Sequence, residues 1–300
     1  MKASVGVRET IGDRIFLIGV YTFLVIIMII VAYPLIYVFS SSFSSASAVI
    51  AGKVWLWPVK PTLYGYVAVF HYPEVWTGYL NSLIYTIAGT ILSVVLTIMM
   101  AYPLSKKDFY GRQIFVWALL FAMMFSGGLI PFYLLVKSLG LLNTRLSMII
   151  PGALSVFSVI VAKTFFQSTI PDDLYEAAEL DGCSDLNFLL RIVLPLSKPI
   201  IAVLVLWSVV AQWNSYFNAL IFLNSQSLYP LQLVLREILI LNNVSMTSMT
   251  LSPEQLKIFQ DMKTLLQYSL IVVASVPVLL LYPFAQKYFV KGVMIGSVKE

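Results

Sequence analysis

The sequence predicts an all-α integral membrane protein with six transmembrane helices and one polar helical loop on the cytosolic side. Three observations predict it. Of the 300 residues, 60% are hydrophobic and 11% charged, with a mean hydropathy of +0.90. A soluble domain carries about 25% charged residues, so lipid is the main solvent here. Six stretches reach the length of about 20 apolar residues that a bilayer core demands. A polar, helix-forming segment between Pro171 and Pro195 interrupts them.

The expected spans run over 15–39, 80–104, 114–136, 147–167, 200–223 and 265–286. Each is helical, because an open strand in lipid leaves backbone groups unpaired. The first apolar run, 15–38, is longer than the h-region of a cleaved signal, about 7–15 residues. Eleven Lys and Arg fall in the segments on the side of the N-terminus and seven on the other. The positive-inside bias therefore places both termini in the cytosol. The net charge of +5 is then matched by anionic lipid and calls for no nucleic acid. One membrane domain, 1–300, accommodates the pattern, with a cytosolic loop at 169–198 and long outside loops at 40–79 and 224–264. Trp55, Trp57, Tyr64 and Trp76 in the first outside loop read as an interfacial aromatic belt.

The spans contain no Asp, Glu or His, and their one charge, Lys163, is placed to snorkel. Ion-coupled transporters keep ionisable groups at midmembrane, so any transport draws its energy elsewhere. His71 and the pair Asp172-Asp173 are the nearest approach to catalytic chemistry, and Asp172-Asp173 suits a helix N-terminus. The single Cys183 offers neither a disulfide nor a metal cluster. No catalytic or metal site is expected, and no phosphate-binding Gly-rich loop occurs.

In the polar segment, Pro171 suits a helix start and Gly182 a helix end. Leu174, Ala177 and Ala178 fall on one face, and Ser184 is placed to cap a second helix with Leu186, Leu189 and Leu190 on its apolar side. An amphipathic helix lying on the membrane favours Lys and Arg. This one carries Asp172, Asp173, Glu176, Glu179, Asp181 and Asp185, which the anionic leaflet repels. Docking to a protein is the better reading: the Ala pair admits close approach and Glu176 offers a charged hydrogen bond.

The spacing Glu176-Ala177-Ala178, Gly182, Ile192, Leu194-Pro195 resembles the EAA motif of binding-protein-dependent ABC importer permeases, type I fold. Asp181-Gly182, Phe188, Pro199, Trp213-Asn214 and the tail 286–292 resemble the carbohydrate-uptake branch that includes the maltose permease. Ser126–Pro131 and Leu228–Leu231 look like the subgroup for larger oligosaccharides; Cys183 stands where that family usually has Ala. The resemblance implies a transport subunit of the bacterial inner membrane, not an enzyme, that imports oligosaccharide. It implies a homologous second permease as heterodimer partner, two ATPase subunits that hold ATP and magnesium, and an extracytoplasmic solute-binding protein. This chain itself would hold no cofactor. Glu176, Ala177, Ala178, Asp181, Gly182, Leu194 and Pro195 would form the ATPase-coupling element.

Gln212, Trp213, Asn214, Tyr216, Phe217 and Asn218 bring amides and aromatics into the fifth span. They suit a sugar pathway, or amide hydrogen bonds between helices. Ser126-Gly127-Gly128 and Pro131 predict a bend in the third span. Asn242, Asn243 and Ser245 in the last outside loop are expected to contact the binding protein, as the maltose-type relatives imply. The plain alternative there is a solvated loop with a short amphipathic helix at 253–262. A same-fold permease for peptide or phosphate, or a membrane enzyme or scaffold, stays open at this point.

Overall fold

The computed structural model describes residues 10–238 and 253–296. All regular structure among them is helical. The chain divides into one unit formed by the segments up to His71 and 245–273, and another formed by 72–244 and the segment from Ala274.

In the first unit, α1 (Ile11–Ser42) opens on a capping box. Thr10 Oγ1 accepts from Asp13 N at 3.2 Å, and Thr10 N donates to Asp13 Oδ2 at 2.9 Å. Nearly every side chain from Ile11 to Ile36 is exposed within the chain. A helix apolar all round with uncovered faces is built for lipid or for another membrane subunit. Only its last turn is buried, at Ser40, Ser41 and Ser42. Ser40 Oγ donates to Leu56 O at 2.6 Å, and Ser42 Oγ shares a 2.8 Å hydrogen bond with Tyr66 OH. Two short helices follow, α2 (Ala46–Ile50) and α3 (Tyr64–His71). Gly65 lets α3 lie against the last helix: a Cβ there would come within 2.3 Å of Ser269 Oγ and 3.0 Å of Leu265 O. Gly65→Ala is therefore expected to destabilise the purified protein by about 1–3 kcal/mol. Gly19→Ala, with open space around its Cβ, should cost nothing measurable. Thermal unfolding of the two variants side by side checks both.

The second unit is organised around α4 (Pro73–Ser105), which packs against α8 (Val156–Thr169), α12 (Lys198–Trp213) and α14 (Leu231–Arg236). Its core joins Ala101, Leu104, Val159, Phe166, Val193 and Leu204. Small residues allow the approach. At Gly89, a Cβ would fall 2.5 Å from Gln212 Nε2.

The expected spans are more broken than their hydropathy suggests. Among the described residues, three segments are long and apolar enough to cross a membrane alone: α1, α4 and Gln260–Leu281 within α15 (Pro253–Gly296). The third span divides into α5 (Arg112–Met124) and α6 (Leu129–Ser138), bent by 114° at the predicted Gly127-Gly128 break. Gly128 has φ +84°, a conformation open to glycine. The fourth span is not one helix: α7 (Leu146–Ile149) stops before Pro151-Gly152, and α8 restarts at Val156. The fifth also fails as one helix, since α12 ends at Trp213 and α13 (Tyr216–Phe222) begins after Asn214-Ser215. Hydropathy measures apolarity and is blind to such breaks. Irregular backbone at membrane depth is tolerated where protein covers it or it lines a cavity.

Within the stretch 40–79 expected as a loop, α3 and the first turns of α4 occupy 64–79. The separate helix expected at 253–262 is instead the opening of α15. Asn242, Asn243 and Ser245 lie outside the described residues.

Candidate functional site

The polar segment folds as two helices around a tight corner. Pro171 precedes α9 (Asp172–Leu180), and Asp172 and Asp173 occupy its first turn. Gly182, at φ +74°, closes it. There Gly182 N donates to Glu179 O and Cys183 N to Ala178 O, both at 2.9 Å, which satisfies carbonyls the helix end would orphan.

Leu174, Ala177 and Ala178 do not share one environment. Tyr175, Ala178 and Cys183 rest on the core, while Leu174 and Ala177 are exposed. An aromatic ring outcompetes a single Leu for the buried position: Tyr175 meets Phe188 edge-on, with ring centroids 5.4 Å apart. Glu176, Ala177, Glu179, Asp181 and Leu180 then form an outward face, with Leu180 90% exposed.

The second helix begins as α10 (Asp185–Phe188), widens into a π turn at Leu189–Val193 and ends as α11 (Leu194–Leu196). Ser184 occupies the N-cap position, but its side chain makes no capping bond. Phe188 and Leu189 are buried, whereas Leu186 and Leu190 are exposed. The π turn ends beside Pro195, which cannot donate to the Arg191 carbonyl; a widened turn absorbs that loss. Leu194 packs on the core and Pro195 is exposed.

A latch that the motif does not advertise fastens this loop to α4. Lys106, just past the α4 terminus, pairs with Asp185 Oδ1. Its Nζ lies 3.7 Å above the Tyr175 ring centroid, and Tyr175 OH donates to Asp185 Oδ1 at 3.1 Å. Lys107 pairs with Asp172. Burial opposes the charge on Lys106, yet the hydrogen bonds to Asp185, Tyr175 and Tyr102 outweigh it and hold the ammonium above its usual range. The Lys106 hydrogen bond in turn holds the Asp185 carboxyl low, against a small burial penalty. The side chain of Lys106 is 15% exposed, drier than an ordinary surface pair. The latch was hidden in the sequence because its members lie 79 positions apart.

The fifth-span residues separate. Gln212 lines a cavity of about 240 Å³ between α4, α8 and α12. Trp213 is buried: its Nε1 donates to Ala274 O at 3.0 Å and its ring meets Tyr79 edge-on. Asn214 Nδ2 donates to its own helix at Val210 O, 2.9 Å away. Tyr216 and Phe217 are exposed, and Asn218 is half-buried.

At the opposite end of α4, side chains grip the segment 224–231. Asn81 Nδ2 donates to Ser227 O at 2.8 Å, Tyr85 OH to Leu228 O at 2.8 Å, and Leu231 N to Ser82 Oγ at 2.8 Å. Asn143, held at φ +56°, accepts from the backbones of Asn224 and Ser225.

No protein-family model matches the chain. It is 40% identical over 293 residues to the polygalacturonan/rhamnogalacturonan transport system permease YtcP of Bacillus subtilis, covering 96% of this chain and 99% of that one. It is 38% identical to LplC of Bacillus subtilis, with 97% of both chains covered. A crystal structure of a bacterial ABC transporter involved in the import of the acidic polysaccharide alginate superposes with a TM-score of 0.83 at 35% identity, over 94% of this chain and 99% of that one. Sequence similarity at near-full length and the close superposition of the fold give one answer: the chain belongs to the carbohydrate-uptake family of ABC transporter permeases.

Proposed function

We propose that this subunit conducts oligosaccharides through the bacterial inner membrane, driven by ATP hydrolysed on partner subunits. The observation that carries the reading is the outward acidic face of α9 on a loop latched to α4. A surface that protrudes and is also fastened to the longest helix of its unit can transmit force. Glu176, Ala177, Asp181 and Gly182 meet the ATPase in this reading, and Leu194 and Pro195 set the second helix against the core. Ala178 contributes from the inner side. A homologous permease covers exposed membrane faces such as that of α1, and a solute-binding protein delivers sugar from outside.

The named relatives include importers of polygalacturonan/rhamnogalacturonan and of alginate. Oligomers of uronic acids are therefore the first substrates to test. Peptide and phosphate readings gain no support from these relatives. The decisive experiment is import of a labelled oligogalacturonide into proteoliposomes that hold both permeases, the ATPase and the binding protein. Import that requires ATP and the binding protein supports the reading, and its absence across uronate and neutral oligosaccharides overturns it.

Asn242, Asn243 and Ser245 are assigned to the binding-protein contact. The neighbouring segment, gripped by Asn81 and Asn143, gives that loop a fixed root. Deleting 242–250 is expected to abolish stimulation of ATP hydrolysis by the binding protein while basal hydrolysis and assembly survive. Unchanged stimulation would reduce the loop to a spacer. Both termini and Asp181 face the cytosol in this reading; labelling of Lys106→Cys from outside intact cells would overturn that topology.

A further inference from the structure

An apolar groove runs between α4 and α5, at the end of α4 that carries the latch. Leu96, Met99, Pro103, Phe109, Phe115 and Leu119 are in its wall, its volume is about 530 Å³, and no polar side chain among the described residues lines it. From Leu96 to Pro103 it follows α4 for about 10 Å. Phe109 and Phe115 meet at one end of it, with ring centroids 5.8 Å apart. Met99 and Phe115 remain exposed, so the groove opens sideways, as a slot for a chain lying along the membrane normal. Beside it stand two cations without an acid. Arg112 opens α5 three residues before Phe115, on the helix face that lines the groove. Lys163 of α8 lies close enough to sense the Arg112 charge. Both are half-buried. Lys106 and Lys107 each hold an aspartate, whereas among the described residues Arg112 and Lys163 have no carboxylate partner. Arg112 Nη1 makes one long hydrogen bond, to Lys106 O at 3.4 Å, which leaves most of its donors free. Like charges held together in a partly dry site repel one another, and an anion between them removes the repulsion. A single snorkelling lysine needs no ligand; a second cation beside it and an apolar slot at the same end of the helices call for one.

We infer that an anionic phospholipid of the inner leaflet binds here, with one acyl chain in the α4–α5 groove and its phosphate between Arg112 and Lys163. Basic pockets between membrane helices on the cytosolic side favour such headgroups, and a guanidinium offers paired donors to a phosphate. Charge selects the lipid. Phosphatidylglycerol brings a net negative charge to two unpaired cations, whereas a choline or ethanolamine lipid brings a cation of its own. The groove selects lipid over free phosphate, which would leave the apolar wall uncovered. The site is separate from the outward face of α9 and from the cavity lined by Gln212. It goes beyond the transport reading and takes from it only the orientation that makes this leaflet the inner one. Because Arg112 donates to the carbonyl of Lys106, a bound lipid also braces the end of α4 from which the latch springs.

The test uses the assembled transporter in phosphatidylcholine nanodiscs. They contain a trace of phosphatidylglycerol bearing a diazirine on one acyl chain or, separately, the phosphatidylcholine analogue. Adducts are located by peptide mass spectrometry. The phosphatidylglycerol probe is expected to label the groove, at residues such as Met99 and Phe115, about tenfold or more above the phosphatidylcholine probe. Labelling elsewhere on the membrane surface should favour neither. Arg112→Gln combined with Lys163→Gln should abolish the preference while phosphatidylcholine labelling and assembly survive. Ala118→Trp, which fills the groove and keeps both cations, should lower phosphatidylglycerol labelling of Met99 by about threefold or more. Equal labelling of the groove by the two probes means a bulk lipid shell and overturns the inference, as does a preference that survives the double variant. A groove labelled by neither probe in an intact assembly is covered by protein, which overturns it too. Labelling requires no saccharide, so its result stands apart from the success or failure of import.

Discussion

Glu176→Lys is expected to leave the protein in the membrane at normal abundance and to cut ATP-driven saccharide import by about 10- to 100-fold. Glu176 is exposed and makes no ion pair among the described residues, so reversing its charge disturbs no internal contact. In the proposed docking it removes a charged hydrogen bond to the partner, worth about 1.5–3 kcal/mol. Gly182→Val should act through the backbone. A Cβ at Gly182 meets nothing within 4 Å, yet φ is +74°, where an ordinary side chain costs about 1–2 kcal/mol and a β-branched one more. The corner would open and α9 would lose its aim. Import and ATP hydrolysis measured together in proteoliposomes check both variants. Wild-type import with the ATPase still bound would refute the coupling role of α9.

Lys106→Glu should have an effect of similar size from a residue outside the family motif. It sets two carboxylates beside one another where Lys106 now bridges Asp185 and the Tyr175 ring. The loop should loosen and import should fall about tenfold or more. The reciprocal Asp185→Lys should be impaired alone and should partly restore function in the double variant. Hydrogen exchange of the α9 amides provides a second readout: protection should drop in each single variant and recover in the double. No recovery would mean that Lys106 acts through Tyr102 and Tyr175 alone.

The latch also has a pH signature. The folded Asp185 carboxyl titrates below its usual range, so its contribution is present at neutral pH and is lost as pH falls through that lowered value. The Lys106 ammonium is held above its usual range; its contribution is full below about pH 10 and is lost as pH rises through the raised value. Between these limits the latch should be insensitive to pH.

Much was legible in the sequence because it rests on local chemistry. Apolarity exposes membrane segments whatever their path, and Pro171, Gly182 and the acidic first turn mark α9 without reference to any neighbour. Gly127-Gly128 announced its bend for the same reason. In the fifth span, neighbours in sequence have different surroundings. Gln212 and Trp213 are adjacent on one helix, yet one lines a cavity and the other bonds to Ala274 O.

By itself, then, the sequence determined the membrane class, the acidic loop and its corner, since solvent preference and backbone freedom are properties of single residues and short windows. Tertiary structure alone decided that Tyr175 and not Leu174 faces the core, and that Lys106 meets Asp185. It alone gathered Ser93, Thr97, Ser158 and Ser208 from three helices around one cavity. A hydrogen bond or ion pair needs its partner within a few ångströms, and in this chain packing brings such partners together from positions dozens of residues apart.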